Sequence, residues 1–188
     1  MSIVTRLTKE FASLVLPKTQ YVLNFHNECV TTSPAPVFLT FDDGPHPEFT
    51  PKVLDFLAEL NAKATFFILG KNIKDSSSII RRAISEGHSI GTHTWNHWSA
   101  QEKDLNSWIK DSQHARNVVE DIIGQPCNLF RPPFGELTPL SLLNLIHNNF
   151  RIIQWSLDTK DFQAKSELQL CQWFIDHKPE AGDIILMH

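Results

Sequence analysis

At 188 residues the chain has room for one domain with a substantial core, and 41% apolar against 20% charged residues is the balance of an ordinary soluble globular protein. A formal net charge of −4 argues against general nucleic-acid binding, which wants a basic surface. No apolar run approaches the roughly 20 residues that span a bilayer, and Cys29, Cys127 and Cys171 form no Cys-x-x-Cys pair, so neither a disulfide framework nor a thiolate zinc site is expected.

Residues 1–36 read as an extension. Arg6, Lys9 and Glu10 precede the short run Phe11-Ala12-Ser13-Leu14-Val15-Leu16, a poor match to a secretory signal because Ser13 interrupts it and no small-residue cleavage site follows. An amphipathic helix that packs on the domain or touches a membrane surface stays open there, with the cytoplasm as default location. Ser33-Pro34-Ala35-Pro36 then forms a stiff elbow.

From residue 37 the pattern alternates. Strands are expected at 37–41, 64–69, 88–92, 128–131, 150–156 and 183–187, where short apolar runs stop at turn residues. Helices are expected at 51–60, 76–85, about 102–123 ending at Gly124, 137–148, and 166–176 with Ser166 as N-cap. Repeated βα units imply six parallel strands joined by right-handed crossovers, a barrel or an incomplete barrel. Chemistry in such barrels gathers where strands end. The polar residues fall there: Asp42 and Asp43 after the first strand, His93 and His97 after the third, Arg131 after the fourth, Asp158 and Asp161 after the fifth, His188 after the sixth.

Thr40-Phe41-Asp42-Asp43-Gly44-Pro45 sets two adjacent carboxylates at a strand end, where a cation or a shared proton is needed to hold them together. In His93-Thr94-Trp95-Asn96-His97 one helical turn would aim both imidazoles at a common point. Two imidazoles and one carboxylate make the three-ligand arrangement of a catalytic zinc, with positions open for water and substrate. In Arg131-Pro132-Pro133-Phe134-Gly135 the prolines stiffen a loop, Phe134 presents an N–H suited to an oxyanion, and Arg131 can pair with a carboxylate.

These motifs, followed by Trp155-Ser156-Leu157-Asp158-Thr159-Lys160-Asp161-Phe162 and Leu186-Met187-His188, resemble the five ordered motifs of the polysaccharide deacetylases. This is carbohydrate esterase family 4, which includes the nodulation chitooligosaccharide deacetylases, and the resemblance covers residues 37–188. It implies an α/β fold, a distorted (β/α) barrel, and metal-dependent removal of acetyl groups from N-acetylglucosamine-containing glycans of the peptidoglycan or chitooligosaccharide type. Position by position, Asp42 resembles the catalytic base and Asp43, His93 and His97 the ligands of a divalent metal, zinc foremost, with cobalt or nickel as alternatives. Arg131 would orient Asp42, and Asp161 would pair with His188, which resembles the catalytic acid. Phe162 and Leu186 would wall the acetyl-methyl pocket.

Two departures accompany the resemblance. Phe162 stands where the family usually has Trp. Family members also continue past the last motif, so the barrel would lack its last helix and strand, as in a fragment of a longer chain. That would leave an open sheet edge near the first strand for Tyr21-Val22-Leu23-Asn24-Phe25 to cover. The competing readings are a hydrolase of another C–N or ester bond (a formamide, a cyclic imide, acetylxylan) and a non-catalytic metal- or sugar-binding module.

Overall fold

A computed structural model describes residues 36–188; the expectations for the run 11–16 and for residues 21–25 lie outside the described residues. The strands are β1 (Phe38–Phe41), β2 (Ala64–Ile68), β3 (Ser89–Thr92), β4 (Leu129–Phe130), β5 (Arg151–Ile152), β6 (Leu157–Asp158) and β7 (Ile184–Met187). The helices are α1 (Phe49–Glu59), α2 (Ser77–Ser85), α3 (Leu105–Ile123), α4 (Pro139–His147) and α5 (Glu167–His177). No helix among the described residues is long and apolar enough to cross a membrane.

All strand pairs are parallel, in the order β5-β4-β3-β2-β1-β7-β6. The two edges, β5 and β6, belong to one stretch of chain. From Ile152 to Leu157 an extended backbone reaches no more than about 18 Å. Seven strands laid flat would set the edges about 29 Å apart. The sheet therefore curls until the segment 151–158 serves both edges, its start pairing with β4 and its end with β7.

Two expectations change here. The strand expected at 150–156 shortens to β5 at Arg151–Ile152 and a further strand, β6, follows that span at Leu157–Asp158, giving seven strands rather than six; between the two, Arg131 takes the carbonyls of Ile153 and Gln154 through Nε and Nη2. Asp158 accordingly ends β6, and Asp161 follows it. Nor is β1 near an open edge, since β2 and β7 flank it on both sides.

Side-chain alternation sorts the core into layers. On the outer face, Leu54 and Leu57 of α1, Ile80 of α2 and Val119 of α3 pack on Phe66, Ile68 and Ile90. Trp108, Leu142 and Leu145 cover Phe130 and Ile152. Inside, Phe67, Ile153 and Ile184 form a small buried cluster, with the Arg131 guanidinium 4.2 Å above the Phe67 ring. The helix limits follow local chemistry: Asp104 caps α3 through Ser107 N–H, Gly124 ends it at φ 69°, and Ser166 caps α5 through Gln169 N–H.

Candidate active site

At the C-terminal ends of the strands lies a cavity of about 470 Å³, lined by Asp42, Asp43, His93, His97, Phe134, Phe162, Leu186 and His188. Arg131 lies beneath it and Asp161 beside His188, so every residue singled out in the sequence comes to one rim.

Asp43, His93 and His97 offer ligand atoms that all lie within 4.8 Å of one another. Asp43 Oδ1 stands 3.7 Å from His93 Nε2 and 3.4 Å from His97 Nε2. Those spacings approach the roughly 3.3 Å edge of a tetrahedron whose metal bonds are about 2.0–2.1 Å long. Although the Asp43 side chain is 44% exposed, Oδ1 itself is buried and accepts no hydrogen bond. A buried oxygen left unpaired against two imidazole nitrogens fits a cation. His93 Nδ1 donates to the Arg131 carbonyl at 2.7 Å, which fixes the tautomer and leaves Nε2 its lone pair. Burial, chiefly, pushes the His93 pKa down to about 3. The ring is therefore neutral, as a ligand must be.

The two imidazoles do not converge through a helical turn, as the spacing suggested. Residues 93–97 form a loop in which Thr94 and His97 adopt left-handed backbone, at φ 65° and 64°. For a β-branched threonine this region is costly. Thr94 Oγ1 offsets it locally by accepting from His97 N–H at 3.0 Å. Gly70 and Lys71 donate their N–H groups to the carbonyls of Thr94 and Trp95. Trp95 packs so closely on Gly70 that a Cβ there would stand 2.3 Å from its ring.

Asp42 is 5% exposed and accepts from Arg131 Nη1 at 2.8 Å. Arg131 is fully buried; it also donates to Thr40 Oγ1 at 2.7 Å as well as to the carbonyls of Ile153 and Gln154. Burial raises the Asp42 pKa, with Arg131 working in the opposite direction. Its Oδ2 lies 3.9 Å from His93 Nε2, alongside the ligand cluster.

Across the cavity, His188 meets Asp161 twice: Nδ1 donates to Oδ1 at 2.9 Å and the main-chain N–H to Oδ2 at 2.7 Å. The bond to Asp161 raises the His188 pKa against the effect of burial. Burial works to raise the Asp161 pKa too, but the His188 hydrogen bonds prevail and hold it below the usual carboxylate range.

Phe134, between Pro133 and Gly135, takes φ 59° and turns its ring edge-on to His97 at 4.7 Å. Phe162 sits edge-on to His188 at 5.0 Å. Leu186 is buried on the wall of the same cavity.

The family model described as polysaccharide deacetylase matches residues 30–152. The chain belongs to the polysaccharide deacetylase family. A peptidoglycan-N-acetylglucosamine deacetylase of Bacillus cereus is 37% identical over 82% of this chain and 56% of its own length. A chitooligosaccharide deacetylase of Azorhizobium caulinodans is 34% identical over 85% of this chain and 76% of its own. The crystal structure of the Bc1960 peptidoglycan N-acetylglucosamine deacetylase superposes with a TM-score of 0.77 at 35% identity, covering 82% of this chain and 74% of that one. The chain thus spans little more than half the length of the Bacillus cereus relative.

Within this polysaccharide deacetylase site the structure adds residues that the motifs did not single out. Thr40 passes the Arg131 contact on to the Ile185 carbonyl at 2.6 Å. Thr159 Oγ1 donates to the Leu186 carbonyl at 2.8 Å and lies 3.2 Å from Asp161 Oδ1. Ser99, next to the His97 loop, donates to Glu136 and so joins that loop to the one bearing Phe134. Thr40 and Thr159 lie inside quoted motifs and were open to detection; Ser99 and Glu136 carry no sequence signal.

Proposed function

We propose that the chain is a metal-dependent hydrolase that removes acetyl groups from N-acetylglucosamine-containing glycans, with zinc as the metal. The carrying observation is the meeting of three groups on one cavity: the Asp43–His93–His97 cluster, the Asp42–Arg131 pair and the Asp161–His188 pair. A binding module needs only the first of these.

A divalent cation held by Asp43, His93 and His97 would lower the pKa of water and polarise the acetyl carbonyl. Asp42 takes the proton of the attacking water, its carboxylate held in line by Arg131. The new C–O bond develops negative charge on the carbonyl oxygen, toward which Phe134 N–H donates. With Nδ1 committed to Asp161, His188 gives its Nε2 proton to the departing nitrogen as the C–N bond breaks and acetate leaves. Leu186 and Phe162 receive the acetyl methyl group, and Trp155, Phe134 and Phe162 offer apolar faces to the sugar rings. Phe134 and Phe162 are each 63% exposed, which favours an extended glycan over a small enclosed substrate.

The test is acetate release from acetylated chitooligosaccharides and peptidoglycan fragments with added zinc, added cobalt or no metal. Metal-dependent release by the wild type, lost in Asp42→Asn, is expected. No turnover by either protein on any acetylated sugar would favour the binding module.

A further inference from the structure

Asp111 lies on α3, outside every motif that carries the site, and is 7% exposed. Its buried neighbours along the helix include Trp108, Ser112 and Ala115, but its carboxylate is not used among them. Instead its carboxylate reaches the 93–97 loop. Oδ2 accepts from Trp95 N–H at 2.8 Å and Asn96 N–H at 3.0 Å, and Oδ1 accepts from the Asn96 side-chain amide at 2.5 Å.

These three bonds fall between the two imidazoles. The loop is strained on either side of them, at Thr94 and His97, and the carbonyls of Thr94 and Trp95 are held by the N–H groups of Gly70 and Lys71. A carboxylate meeting two successive N–H groups and an amide makes charge-assisted bonds, the stronger kind, and orients the segment as well as holding it.

We propose that Asp111 is a positioning residue for the metal cluster: through Trp95 and Asn96 it clamps the left-handed loop so that His97 Nε2 faces Asp43 at the same point as His93 Nε2. Outer groups that orient a ligand typically govern metal affinity by ten- to a hundredfold. The inference rests on the reading that Asp43, His93 and His97 hold a cation.

Asp111→Asn keeps the shape but removes the charge and one of the two acceptor oxygens. Zinc affinity, measured on the full chain by chelator competition, should weaken by about ten- to a hundredfold, and the visible spectrum of the cobalt-loaded protein should change as His97 leaves the coordination sphere. A merely structural aspartate would lower the melting temperature of the metal-free protein and leave both readouts of the folded fraction alone; that result overturns the inference. Asn96→Ala removes one of the three donors and leaves Asp111 in place, so it serves if Asp111→Asn does not fold. Its zinc affinity should fall by a smaller factor, and an unchanged value overturns the proposal. Wild type that binds no zinc would instead defeat the metal reading itself, and this inference with it.

Discussion

Arg131 and His93 meet through the main chain: the imidazole donates from Nδ1 to the Arg131 carbonyl at 2.7 Å. The guanidinium of the same arginine holds Asp42 at 2.8 Å. One buried residue thus orients a proposed ligand with its backbone and the proposed base with its side chain.

The two roles should separate on substitution. Arg131→Met leaves Asp42 buried without a partner, and breaking such a pair typically costs about 3–5 kcal/mol. Urea denaturation should register that loss, and kcat should fall by about 10²-fold or more as Asp42 loses its orientation. The carbonyl facing His93 remains, so the folded fraction should retain zinc affinity in chelator competition. Loss of zinc binding in a protein that stays folded would contradict this division.

The pH profile follows from two titrating groups. Asp42 must be ionised and His188 protonated, so kcat/KM should be bell-shaped. Its acid limb should report Asp42, which burial raises and which Arg131 and the charge of a bound cation draw down. Its alkaline limb should lie above the ordinary imidazole value of about 6.5 because Asp161 raises His188. Asp161→Asn should move the alkaline limb to lower pH, and an unmoved limb would refute the coupling.

Stability should show the same pair. His188, raised in the folded state, contributes stability that is full below about pH 6.5 and lost as pH rises through its folded pKa. Asp161, depressed, contributes above about pH 3.9 and loses that contribution as pH falls through its folded pKa. The pair is therefore strongest between those limits. Thermal melts of Asp161→Asn should show a flatter decline than wild type as pH rises above about 6.5.

Metal should stabilise by mass action. Zinc at a hundredfold excess over its Kd should add about 2.7 kcal/mol to unfolding, seen as a higher melting temperature that a chelator reverses. His93→Ala and Asp43→Ala should abolish most of that increment. A zinc-induced rise of wild-type size in both variants would locate the cation elsewhere.

Phe162 is exposed beside His188 and contacts substrate in the proposed mode. Phe162→Ala should raise KM for acetylated oligosaccharides by up to about tenfold, the worth of roughly 0.5–1.5 kcal/mol of aromatic packing. The melting temperature should barely move. A large fall in kcat at constant KM would give the ring a different part.

Much of this architecture could be read from the residues because strand ends and helix caps are local signals. Gly124 and Ser166 fall at the helix limits assigned to them, and Asp42, Asp43, His93 and His97 gather where their strands end. Three features depend on partners remote in sequence. The strand expected at 150–156 stops at Ile152, where Arg131 takes the next two carbonyls. The His93–His97 loop is left-handed because Thr94, Gly70 and Asp111 hold it. β1 lies inside the sheet because the last strand, β7, pairs on its far side from β2, which no local pattern encodes.

The most direct measurement is an anomalous-difference map at the zinc edge from crystals grown with zinc. A single strong peak should lie within bonding distance of Asp43 Oδ1, His93 Nε2 and His97 Nε2, with the Asp42 carboxylate beside it and still gripped by Arg131. Zinc bound to the protein at any other group, with that cluster empty, would contradict the reading.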